Sequence, residues 1–98
     1  MNMQAMLKQA QAMQKDMMKV KNEIDNTEFT GSSSLVTAKV MGDKTVSSIE
    51  FNLDDDFSIE DIDMLQDMIV VAINDAMKKV DETTEKKMSK FGNIPGLF

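Results

Sequence analysis

The side chains able to do chemistry in this chain are eleven lysines, seventeen carboxylates and a run of three serines, Ser32-Ser33-Ser34. His, Cys, Tyr, Trp and Arg are all absent. A serine nucleophile needs a base within hydrogen-bond reach, and histidine, the usual one, does not occur. No catalytic motif surrounds the serines, so Gly31-Ser32-Ser33-Ser34 reads as a loop or flexible turn. Without cysteine there is neither a disulfide framework nor a thiolate zinc site. No enzyme, cofactor or small-molecule substrate is expected.

The carboxylates crowd around one point: Asp54, Asp55, Asp56, Glu60, Asp61 and Asp63. A divalent cation is the ligand to consider, but the alternating Asp/Asn order and central glycine of a calcium loop are missing. Helix capping accounts for the cluster better. Ser58 is a good N-cap with Asp61 at the third helical position, and acids at a helix start complement its dipole. Phe57 before the cap and Ile62 inside it fit a hydrophobic staple. No metal is expected.

The lysines are set apart from those acids. Residues 1–22 carry Lys8, Lys15, Lys19 and Lys21 against Asp16, a balance of +3. Residues 23–77 carry Lys39 and Lys44 against thirteen acids, −11. Residues 78–98 carry Lys78, Lys79, Lys86, Lys87 and Lys90 against Asp81, Glu82 and Glu85, +2. The net charge of −6 hides an acidic middle between two basic ends.

The elements that must position these charges follow from periodicity. Apolar residues fall at Met3, Met6, Ala10, Met13, Met17, Val20 and Ile24, alternating steps of three and four, which is a heptad seam on a helix. Gln4, Lys8, Gln11, Lys15 and Lys19 lie opposite it. Glu28-Phe29-Thr30 reads as a short first strand. Leu35 to Met41 alternates with Val36, Ala38 and Val40 on one face, and Gly42-Asp43 suits a type II′ hairpin turn. The return strand from Lys44 to about Leu53 breaks parity between Val46 and Ile49, which a β-bulge at Ser47-Ser48 repairs. A long helix runs from about Ile59 to Lys90, ahead of Gly92. At 1.5 Å per residue it is roughly 48 Å long.

That helix is apolar on two sides. Ile62, Leu65, Ile69, Ile73, Ala76 and Val80 form one stripe, while Met64, Met68 and Val71 fall roughly opposite. A chain this short has little left to cover the second group, so a second copy is expected to do it. The fold class is α+β: an N-terminal helix, a small antiparallel sheet of about three strands and a long C-terminal helix, paired as a homodimer. One domain spans residues 1–92 and a flexible tail 93–98, whose Leu97 and Phe98 suit docking on a partner. The start, Met1-Asn2-Met3-Gln4-Ala5-Met6, has no secretory pattern and no apolar run spans a bilayer, which predicts a cytoplasmic protein.

The order of these pieces resembles the YbaB/EbfC family of bacterial nucleoid-associated proteins. The residues that carry the resemblance are Met6-Leu7-Lys8-Gln9-Ala10-Gln11-Ala12-Met13-Gln14, Leu35-Val36-Thr37-Ala38-Lys39-Val40-Met41-Gly42 and Val46-Ser47-Ser48-Ile49-Glu50-Phe51. Further along they are Asp63-Met64-Leu65-Gln66-Asp67-Met68-Ile69, Ala72-Ile73-Asn74-Asp75-Ala76 and Lys87-Met88-Ser89-Lys90. The resemblance covers essentially the whole chain. It implies a tweezer-like homodimer with helical arms that binds double-stranded DNA with broad sequence preference, in the nucleoid, and regulates genes or organises the chromosome. Lys8, Lys15, Lys19, Lys21, Lys78, Lys79, Lys86, Lys87 and Lys90 are then the expected DNA contacts, neutralising phosphates and releasing counterions. Family members commonly carry arginines in these helices, and none occurs here. Arg is the side chain that most often reads guanine edges, so strong base readout is not expected. The second reading is an acidic interaction module that binds a protein through its centre or its Met surface, with DNA incidental.

Overall fold

A computed structural model describes residues 2–92. The tail expectation for residues 93–98, including Leu97 and Phe98, lies outside the described residues. The elements run α1 (Met3–Asp25), β1 (Glu28–Ser33), β2 (Val36–Met41), β3 (Val46–Phe51) and α2 (Ile62–Met88). Single 3₁₀ turns, Ile59–Asp61 and Ser89–Phe91, extend α2 at either end. The strands form one antiparallel sheet in the order β1-β2-β3.

One face of the sheet is apolar and the other polar, as period-two alternation dictates. Val36, Ala38 and Val40 point to α2 and are fully buried, joined by Leu65, Ala72, Ala76 and Val80 from the helix. The register places Phe29 beside Val40 and Gly31 beside Ala38 on that same face. Thr37, Lys39, Ser48 and Glu50 pair on the other. The expected bulge is present. Lys39 pairs with Ser48 and Val40 with Val46, leaving Ser47 as the extra residue, its hydroxyl donating to the Lys39 carbonyl at 3.0 Å.

The first strand is twice as long as expected, because Gly31-Ser32-Ser33 belongs to it and only Ser34-Leu35 turns. The reason is contact with α2. A Cβ on Gly31 would overlap the Ala72 carbonyl oxygen and the Ala76 amide, and would sit 2.8 Å from the Ala76 Cα. Glycine here admits a backbone-to-backbone approach, not a flexible turn. Three polar bonds secure the approach. Ser32 N donates to Asp75 Oδ2 at 3.0 Å, Ser33 Oγ to the Met68 carbonyl at 2.6 Å and Lys79 Nζ to the Thr30 carbonyl at 2.7 Å.

The β2–β3 turn also differs from the expectation. A type II′ turn needs positive φ at its first central residue, yet among non-terminal turn residues it is Lys44 (φ 70°), not Gly42, that is left-handed. Lys44 N donates to the Met41 carbonyl and Met41 N to the Thr45 carbonyl, both at 2.8 Å, so the loop holds three residues, Gly42 to Lys44. Thr45 N donates to Asp43 Oδ1 at 2.9 Å. Hydrogen bonds from the Thr45 side chain and amide hold the Asp43 carboxyl below its ordinary range. That support is present above the ordinary carboxylate pKa and lost as pH falls through the lowered value. Gly42 serves another purpose: a Cβ there would overlap the Ile24 carbonyl, and its amide donates to the Thr27 carbonyl at 2.9 Å. It pins the end of α1.

At the start of α2, Ser58 N donates to Asp61 Oδ2 at 3.0 Å, so Asp61 caps as expected. Phe57 packs on the Val36–Leu65 cluster, while Ile62 stays exposed. Gly31→Ala is expected to cost about 1–3 kcal/mol through overpacking. Urea denaturation followed by far-UV circular dichroism measures it.

Candidate nucleic-acid interface

Direction is what builds the arm. Along β1, Thr30 meets Lys79, Gly31 meets Ala72 and Ala76, and Ser33 meets Met68, so the strand runs antiparallel to α2. Only Asn26 and Thr27 separate α1 from β1, and α1 continues the same line. Lys21, Ile24 and Asp25 line a cleft with Val80, Thr84 and Met88; Val20 and Glu23 line a second with Thr83, Lys86, Lys87 and Lys90. The seam residues Met17 and Val20 are half-buried and Ile24 is buried, whereas every residue from Met3 to Asp16 is exposed. The outer part of α1 therefore runs past the end of α2 alone, and the molecule measures 72 × 20 × 15 Å.

Two of the nine expected lysines are committed to the fold. Lys21 pairs with Asp25 at 3.1 Å, and Lys79 is held by the Thr30 carbonyl with Asp75 at 3.7 Å. Among the described residues, Lys8, Lys15, Lys19, Lys78, Lys86, Lys87 and Lys90 have no carboxylate within 4.0 Å. Lys86, Lys87 and Lys90 share one cleft edge, with Lys90 Nζ 5.0 Å from the Phe91 ring centroid. The acids Asp54 to Asp63 lie at the other end of α2, roughly 40 Å from Lys90 at 1.5 Å per residue. Among the described residues no group of three or more carboxylates is gathered as metal ligands would be, and no helix is long and apolar enough to cross a membrane.

The sequence profile of the YbaB/EbfC DNA-binding family matches residues 1–94. The chain belongs to that family. A nucleoid-associated protein of Streptococcus suis is 48% identical over 97% of this chain and 98% of its own. One from Lactococcus lactis subsp. cremoris is 46% identical over 93% of each. The crystal structure of an uncharacterized protein from Helicobacter pylori has the same fold, with a TM-score of 0.75 at 20% identity over 95% of this chain and 99% of that one.

The three expected interface residues of this YbaB/EbfC chain do not share one environment. Met68 is half-buried and packs on the chain's own Val36–Leu65 cluster, because its side chain leans toward β1. Met64 and Val71 are exposed. The larger uncovered apolar surface lies on the other flank. Helix α2 covers β1 and β2 and leaves β3 outermost, so Phe51 (49% exposed) and Val46 (42%) lie on the helix side of the sheet and stay exposed among the described residues. Beside them run Ile62, Ile69, Ile73 and Val70 (57% exposed) of α2. Sequence reasoning missed this trough because it did not ask how wide a sheet one helix can cover. Lys79→Gln is expected to lower stability by on the order of 1 kcal/mol and leave the salt dependence of DNA binding unchanged, while Lys86→Gln does the reverse. Thermal melts and fluorescence anisotropy titrations separate the two.

Proposed function

We propose that this chain is a homodimeric nucleoid protein that grips double-stranded DNA through the lysines of its arms, with little sequence preference, and so organises the chromosome. The observation that carries this is the set of lysines without a carboxylate partner among the described residues, Lys8, Lys15, Lys19, Lys78, Lys86, Lys87 and Lys90, on α1 and the outer half of α2, in a member of a DNA-binding family. Lysine is a compact point charge that suits phosphate, and the absence of Arg removes the usual bidentate guanine reader. The acidic end is several Debye lengths from the arm lysines and does not cancel them in salt.

Dimerisation supplies two arms to one duplex, and two rigidly held weak contacts act as one stronger contact. The trough formed by β3 and the Ile62–Val70 flank of α2 is the interface this reading favours. It holds both an unfilled strand face and an unpaired helix flank, so two copies related by a two-fold axis can each cover the other.

Binding to unrelated duplexes is expected to weaken as salt rises, with a log–log slope of about −0.9 per phosphate neutralised. Replacing Lys8, Lys15 and Lys19 with Gln should flatten that slope. An unchanged slope in anisotropy titrations would remove these lysines from the contact. Phe51→Asp is expected to yield monomers in sedimentation velocity, with DNA affinity falling as a consequence. A dimer that survives Phe51→Asp but not Val71→Asp would place the interface on the Met64–Val71 side instead.

A further inference from the structure

The α1 seam has two halves with different fates. Its inner residues Met17, Val20 and Ile24 pack toward the chain's own α2. Its outer residues Met3, Met6, Ala10 and Met13 continue the same heptad past the end of α2 and are exposed, Met3 at 83%. An apolar seam that persists beyond its partner is built to meet another helix.

Charge placement says which helix. With Met3 and Ala10 at position a and Met6 and Met13 at d, Lys8 and Lys15 both fall at f, the point farthest from the seam. The e and g positions that flank the four outer layers are Leu7, Gln9 and Gln14, all uncharged, and the next g position, Asp16, lies opposite the start of the other copy in an antiparallel pair. Two copies of this segment can therefore meet without like charges facing one another. An acidic partner would find no complementary charge beside the seam, and a basic one would find only Asp16 at its inner end. Antiparallel pairing stacks a against d, which sets Met3 of one copy opposite Met13 of the other and Met6 opposite Ala10. The small Ala10 makes room for the long Met6 in both central layers, and the four layers consume the whole overhang.

We propose that α1 tips from two different dimers pair antiparallel, seam to seam, linking neighbouring molecules while their lysines stay turned outward to DNA. This rests on the dimeric DNA-binding reading above. Each dimer carries two tips, so the linkage can join dimers in series or hold two duplexes together. Two heptads fall short of the roughly three to four that identify a freestanding coiled coil, so pairing is weak in free solution and strengthens where DNA concentrates the protein.

The cysteine-free chain allows a direct test on the full-length protein bound to long duplex DNA. A mixture of Met6→Cys and Ala10→Cys is expected to oxidise to a mixed disulfide at least fivefold more than Lys8→Cys alone. An equal yield would overturn the register and the proposal. So would an intrachain disulfide between cysteines at positions 6 and 98, which would show that the chain's own C-terminal segment covers the seam. In a second arm, Met6→Gln with Met13→Gln alters only exposed side chains and leaves the charge of the arm unchanged. It is expected to keep dimer mass and binding to a single-site duplex within twofold, and to lower capture of a second duplex by bead-bound complexes at least tenfold. Unchanged capture would overturn the proposal. Loss of single-site binding with dimer mass intact would do so too, by showing that the seam touches DNA.

Discussion

Where β1 crosses α2 there is no side chain between two backbones. Gly31 lies against Ala72 and Ala76, with Ala38 beside it in the register, and these small residues let strand and helix approach more closely than any branched side chain would permit. The approach brings the Ser32 amide to Asp75, the Thr30 carbonyl to Lys79 and the Ser33 hydroxyl to the Met68 carbonyl. Because α1 is joined to β1 by only two residues, the line of the strand is also the line of the arm. The position of the basic surface thus descends from a missing methyl group in the core.

The same helix sorts the charges. Acids gather at the start of α2, with Asp61 accepting a hydrogen bond from the Ser58 amide, and Lys86 and Lys87 occupy its last turn. Both placements favour the helix dipole, so they stabilise the fold whether or not DNA is present. Their separation has a second effect: a phosphate backbone is repelled from one end of the molecule and attracted to the other. Helix stability and orientation on a polyanion are satisfied by one distribution, and the negative total charge is irrelevant to either.

Periodic features were legible in the sequence. The heptad seam, the inward Val36, Ala38 and Val40, the long helix and the bulge at Ser47 all follow from spacing alone, since each repeat must face one partner. What spacing does not reveal is how closely two elements approach. Gly31 and Gly42 were read as turn residues because glycine is usually excused by its backbone freedom, yet both are there for lack of volume. The lysines were equivalent in sequence, and only the fold shows that Lys21 and Lys79 already have partners. Met68 was assigned to the outer face by helical angle, but a long side chain beside a sheet edge leans inward and fills the margin of the core. The family itself was legible, because its pieces occur in order along the whole chain.

The junction of Gly42 with Ile24 and Thr27 acts mechanically as the clamp of a cantilever. Outward from Met17, where packing on α2 ends, α1 runs on as a rod over residues 3–16, roughly 21 Å at 1.5 Å each, exposed throughout among the described residues. A bend of about 10° at the inner end of that rod displaces its tip by roughly 4 Å, about a third of the width of a DNA major groove. The position of the tip is therefore governed by the packing at the inner end of α1, away from Lys8 near the tip. A rod that bends there follows a surface of varying shape without breaking the packing of Met17, Val20 and Ile24 on α2.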